Sequence, residues 1–103
     1  MIAKNAATDP EVREVERLLQ ASFKDVECYR YNSVSIRARV RDDQFQGKSQ
    51  AERESLIDAV LDQLPEEIRQ QLLLLVLLPE SGPRSLTEKL LNREFEHPQP
   101  SQL

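Results

Sequence analysis

Val34-Ser35-Ile36-Arg37-Ala38-Arg39-Val40-Arg41 alternates apolar and polar side chains over eight residues. This is the pattern of a strand with one face in a core and the other outside it. Val34, Ile36, Ala38 and Val40 point one way; Ser35, Arg37, Arg39 and Arg41 point the other. Upstream, Val26 to Tyr31 is β-prone and halts at Asn32-Ser33, a tight-turn pair, so the two segments read as a hairpin. Asp42-Asp43 closes its second strand.

Outward from the hairpin the period changes to that of helices. Before it, Val12, Val15, Leu18, Leu19 and Ser22 recur at three and four, predicting a helix over 10–22. Its start is marked twice: Thr8 with Glu11 has capping-box spacing, and Asp9-Pro10 pairs an N-cap with proline at the first helical position. After it, Ser49 and Glu52 form a capping box ahead of Leu56, Ile57, Val60, Leu61 and Leu64. Pro65 ends that helix and opens a short one over about 66–71, whose Glu66 and Glu67 suit the positive end of a helix dipole. Leu72-Leu-Leu-Leu-Val-Leu-Leu78, between breakers, is a strand apolar on both faces, with one set at 72, 74, 76 and 78 and the other at 73, 75 and 77.

Two helices between the second and third strands make a crossover, so those strands should run parallel with a right-handed connection. The expected fold is an α+β two-layer sandwich, α-β-β-α-α-β, with a mixed three-stranded sheet and a C-terminal helix. Residues 1–8 are expected to be a flexible lead, 9–79 the domain, and 80–103 a tail carrying an amphipathic helix at about 85–96. Ser85 and Glu88 would box that helix, and Leu86, Leu90, Leu91 and Phe95 would form its stripe. The uncovered set of the last strand needs a partner, and the tail stripe needs one too. The tail is therefore expected to dock over the outer end of that strand, with pairing of two chains through the same leucines as the competing outcome.

Composition narrows the function. The chain has 103 residues, enough for one domain, and a formal net charge of −4 from 14 Lys plus Arg against 18 Asp plus Glu. Nucleic-acid binders usually carry a basic balance, which is missing here. One cysteine, Cys28, excludes an intrachain disulfide, and one histidine, His97, excludes a zinc site of ordinary ligand count. No apolar run approaches the ~20 residues of a spanning helix, and Met1 to Asp9 lacks a secretory h-region, so a cytoplasmic protein is expected.

The segment Phe45-Gln-Gly47-Lys-Ser49-Gln-Ala-Glu-Arg53, together with the element order, resembles the BolA family, whose fold is related to type II KH domains. The residues carrying the match are Phe45, Gly47, Ser49 and Arg53, and the resemblance covers roughly Val15 to Pro79. Phe45 plugs the sheet end, Gly47 supplies an unusual turn dihedral, Ser49 caps the next helix, and Arg53 reaches back across the first turn. The resemblance implies a partner, a monothiol glutaredoxin, and a shared [2Fe–2S] cluster held by a His before the last strand and a Cys or His in the hairpin loop. This chain has Gln70 or Gln71 at the first position and Asn32-Ser33 at the second, with Glu54 where the family commonly has His after the motif arginine. It is read as a divergent member without cluster ligands, needing neither cofactor nor metal, with stress or iron–sulfur roles implied by the family alone.

Other candidate chemistry weakens on inspection. Gly47-Lys48-Ser49 lacks the earlier phosphate-loop glycine, since Asp42 stands there. Asp58 and Asp62 lie one turn apart without a third partner, and no nucleophile–base pair can be assembled, so no enzyme is expected. Cys28 reads as a small buried hydrophobe and His97 as a solvated tail residue. Arg37, Arg39 and Arg41, with Lys48 and the neighbouring Tyr29, Arg30 and Tyr31, could contact single-stranded nucleic acid. The junction 63–67 lacks the Gly-x-x-Gly of KH domains, however, and Asp25, Glu27, Asp42 and Asp43 can pair with the arginines, so a solvated, partly paired face is preferred. The leading expectation is a non-enzymatic BolA-like protein-interaction domain with an unidentified protein partner, monomeric or homodimeric. A nucleic-acid module is the alternative, and an iron–sulfur chaperone the third option.

Overall fold

The computed structural model describes residues 9–80 and 85–99. The lead over 1–8 and the Thr8 half of the first cap lie outside them. Helix α1 (Pro10–Gln20) starts where Asp9 accepts the Glu11 and Val12 N–H groups at 3.1 Å each. It stops two residues short of the expected end. Ser22 and Phe23 both donate to the Leu19 carbonyl, tightening the chain into a turn that drives Phe23 into the core.

Strands β1 (Asp25–Asn32) and β2 (Ser35–Arg41) form the antiparallel hairpin, and Asn32 Oδ1 fixes the turn by accepting Val34 N–H at 2.9 Å. Val34 itself is outside β2 and exposed. A 3₁₀ turn (Asp43–Phe45) leads to α2 (Gln50–Leu61), whose Ser49–Glu52 capping box is complete. Then come α3 (Glu66–Arg69) and β3 (Leu72–Leu78), which lies parallel to β2. The sheet order is β1-β2-β3, so the mixed α+β sheet has its arginine strand at the centre.

The two faces of β3 do not follow simple alternation. Ile36 pairs with Leu72, but Arg37 pairs with Leu74, so Leu73 is an extra residue, 65% exposed. The bulge puts Leu72, Leu75 and Leu77 against the α1/α2 core and Leu74, Val76 and Leu78 on the opposite face. The first core joins Val12, Val15, Leu19 and Phe23 to Ile57 and Leu61 over Cys28, Ile36, Ala38 and Val40, and Phe45 stacks on Phe23 at 5.4 Å.

The opposite face is covered by α4 (Leu86–Glu96), capped by Ser85. It docks as expected, but not merely over the outer end of β3. It lies across β3 and β2, and Phe95 reaches Tyr29 of β1 to complete a second core of Tyr29, Val76, Leu78 and Phe95. Its inward stripe is also narrower than predicted. Phe95 is fully buried and Leu91 half-buried, while Leu86 and Leu90 turn outward at 72% and 56% exposed.

Candidate functional site

The arginine row of β2 meets β1 residue for residue. Register sets Tyr29 opposite Arg37, Glu27 opposite Arg39 and Asp25 opposite Arg41. Arg41 Nε donates to Asp25 at 2.8 Å, and an Arg39 Nη donates to Glu27 at 2.7 Å. Arg37 lays its guanidinium over the Tyr31 ring at 3.6 Å. Asp42 and Asp43 take no part in this. They hold the 3₁₀ turn and Lys24, with Asp42 accepting the Lys24 N–H at 2.8 Å.

The expected solvated, partly paired face is paired at Arg39 and Arg41, but over Arg37 and Arg39 it is closed rather than solvated. Helix α4 delivers acceptors around Phe95: the Arg37 guanidinium donates to the Glu94 carbonyl at 3.2 Å, and Arg39 to Asn92 Oδ1 at 3.0 Å and to the Glu96 carboxylate. Arg39 also packs its guanidinium 5.1 Å from the Phe95 ring centre. Tyr29 meets Phe95 edge-on at 5.0 Å and donates its hydroxyl to the Phe95 carbonyl at 2.9 Å. Tyr31 donates to the carbonyl of Gln99. The Arg39 side chain is left 7% exposed. Three arginines chosen as phosphate contacts are thus brought together and occupied, whereas Lys48 sits in the exposed loop after Phe45, apart from them. A signal was present in the sequence: Asn92, Glu94 and Glu96 flank Phe95 with acceptors.

The motif residues converge at the other end of β3. Gly47 has φ +71°, in the left-handed region. Arg53 is buried and reaches further than its own helix turn: Nε donates to the Phe45 carbonyl at 3.1 Å, and one Nη to the Leu77 carbonyl at 3.0 Å and to Glu88 at 2.7 Å. Glu88 therefore does not close the expected capping box at Ser85; its carboxylate is turned to Arg53, and Ser85 Oγ accepts the Glu88 N–H alone at 3.1 Å.

Just before β3, Gln71 is locked in a polar network. Its Oε1 accepts from Arg30 at 2.9 Å, and its Nε2 donates to Glu11 and to the Glu67 carbonyl at 2.9 Å each. Arg30 also binds Asp9, and this hydrogen bond holds the Asp9 carboxyl below the ordinary carboxylate range. Gln70 is exposed and its side chain donates to Glu66 at 3.3 Å. Cys28 is buried and free, and desolvation pushes its thiol pKa up, the opposite of a reactive thiolate. Asp58 pairs with Arg69 at 3.0 Å rather than with Asp62. Among the described residues no group of three or more His, Cys, Asp or Glu is placed to hold a metal ion.

A concavity among the described residues is an open groove of 410 Å³ on α4, lined by Lys89, Asn92, Arg93, Glu96 and His97. His97 is exposed and ends the helix. No family model, curated protein or solved structure matches the chain.

Proposed function

We propose that this chain is a non-catalytic, BolA-like protein-interaction domain working without an iron–sulfur cluster. The observation that carries this reading is the division of labour in α4. Its inner side occupies the arginine row, and its outer side presents Leu86 and Leu90 to solvent. Apolar side chains displayed one turn apart on a docked helix form the kind of surface that helix-groove recognition uses. Nucleic-acid binding through Arg37 and Arg39 would first require α4 to leave, and Arg41 would first have to give up Asp25. Cluster sharing with a glutaredoxin would require ligands where Gln71 is already committed to Arg30 and Glu11.

The test is recovery of the tagged full chain from cells after crosslinking, with and without nuclease. Specific protein partners that survive nuclease support the reading. Crosslinks to nucleic acid alone, or an absorption band from a co-purified cluster, would overturn it.

A further inference from the structure

Helix α4 is acidic as a sequence, with Glu88, Glu94 and Glu96 against Lys89 and Arg93. Docking changes what it shows. Glu88 is drawn to Arg53, Glu94 to Arg37 at 3.6 Å, and Glu96 to Arg39, so every carboxylate of the helix is paired with an arginine of the domain, although Glu96 still borders the groove beside Lys89 and Arg93. At roughly 100° per residue, Lys89, Arg93, Leu86 and Leu90 then share the arc opposite Phe95. Lys89, Arg93 and His97 follow at four-residue steps, and neither Lys89 nor Arg93 has an ion-pair partner among the described residues. A chain of net charge −4 thereby carries a local strip that is cationic along one side and leucine along the other.

Resting on the protein-interaction reading, we infer that the outer face of α4 docks an acidic amphipathic segment of a partner protein. Leu86 and Leu90 form a ridge that fits between apolar residues spaced three and four apart on a facing helix. The partner's flanking carboxylates meet Lys89 and Arg93 on the side of the groove away from Glu96. Charge complementarity selects the occupant. A basic helix would face like charge, and a nucleic acid would find only a short strip on a chain whose overall charge repels phosphate.

The experiment uses fluorescence anisotropy on the full chain with two labelled synthetic peptides. Both have leucine at helical i, i+3, i+4 and i+7 positions; one carries glutamate and the other lysine elsewhere. The glutamate peptide should bind and weaken with salt, and the lysine peptide should bind at least ~10-fold more weakly. Lys89→Glu with Arg93→Glu, and separately Leu86→Ser with Leu90→Ser, should each reduce binding by ~10-fold or more without lowering the melting temperature. Equal binding of both peptides, indifference to both double variants, or a preference for phosphatidylserine vesicles or oligo(U) would overturn the inference. So would a dimer by light scattering that the leucine variant dissolves, since the occupant would then be a second copy. If cellular partners are recovered equally by wild type and the charge-reversed variant, this inference falls and the interaction reading stands. If wild type recovers no protein, the reading itself falls.

Discussion

The guanidinium of Arg53 donates to the carboxylate of Glu88 at 2.7 Å, tying α2 to α4 across the end of β3. Both side chains are largely withdrawn from water, at 7% and 16% exposed, and the same guanidinium serves the Phe45 and Leu77 carbonyls. A buried charge held by three acceptors costs most when one partner is removed. Arg53→Met should therefore lower stability by about 3–5 kcal/mol in urea unfolding. Arg53→Lys should recover only part of it, because one ammonium cannot span three acceptors in a fixed fork. A loss within ~1 kcal/mol for Arg53→Met would show that the junction is not shared.

The second core rests on Phe95. Phe95→Ala should cost about 3–5 kcal/mol, the usual range for emptying a fully buried aromatic site. Tyr29→Phe deletes only the hydroxyl that serves the Phe95 carbonyl and should cost about 1 kcal/mol. In both variants, hydrogen exchange should rise in α4 ahead of α1 and α2, which pack on the opposite face. Equal acceleration in all helices would mean that the two cores open as one.

Gly47 can be tested without touching packing, since a Cβ there would meet nothing within 4 Å. Any cost is then conformational. Gly47→Ala should destabilise by about 1–2 kcal/mol, and Gly47→Asn by less, because asparagine tolerates the left-handed region. A melting curve that ranks alanine above asparagine would contradict the φ of +71°.

Asp9 gives the protein an acid limb. Its pKa is lowered by the hydrogen bond to Arg30, so its contribution to stability is complete above the unfolded value of ~3.9 and fades as pH falls through the lower folded value. Asp9→Asn keeps a competent N-cap while removing the charge, so it isolates the ion pair. Between pH 7 and pH 3 the variant should lose less stability than wild type, as read from urea midpoints. Parallel losses would assign the acid limb to other carboxylates.

Much of the architecture was legible because the local signals agreed. The alternation of 34–41, the Asp9-Pro10 start and the Ser49–Glu52 box each specify one conformation, and the crossover rule then makes β2 and β3 parallel. Three features were not legible, for physical reasons. A run of leucines carries no phase, so the bulge at Leu73 leaves no trace in it. Phe23 stands in phase with Val15 and Leu19 but beyond the end of α1, and the turn at Leu19 is what carries it inward. Helix α4 has two apolar edges, and leucine content favours the wrong one. Acceptors around Phe95, matched to arginines more than fifty residues upstream, decide which edge faces in. The closed arginine row was missed on the same ground, since its cover comes from a distant helix.

That arrangement also orders events during synthesis. The α1/α2 side can assemble as soon as β3 has left the ribosome, because every element of the first core lies before Pro79. The other side has to wait for Phe95. In that interval Tyr29, Leu74, Val76 and Leu78 lie in the open beside an arginine row that the hairpin neutralises at Arg39 and Arg41 but not at Arg37. A nascent chain in this state offers a sticky apolar sheet to chaperones and its own neighbours. Emergence of the last helix ends that exposure by supplying apolar cover and counter-charge together.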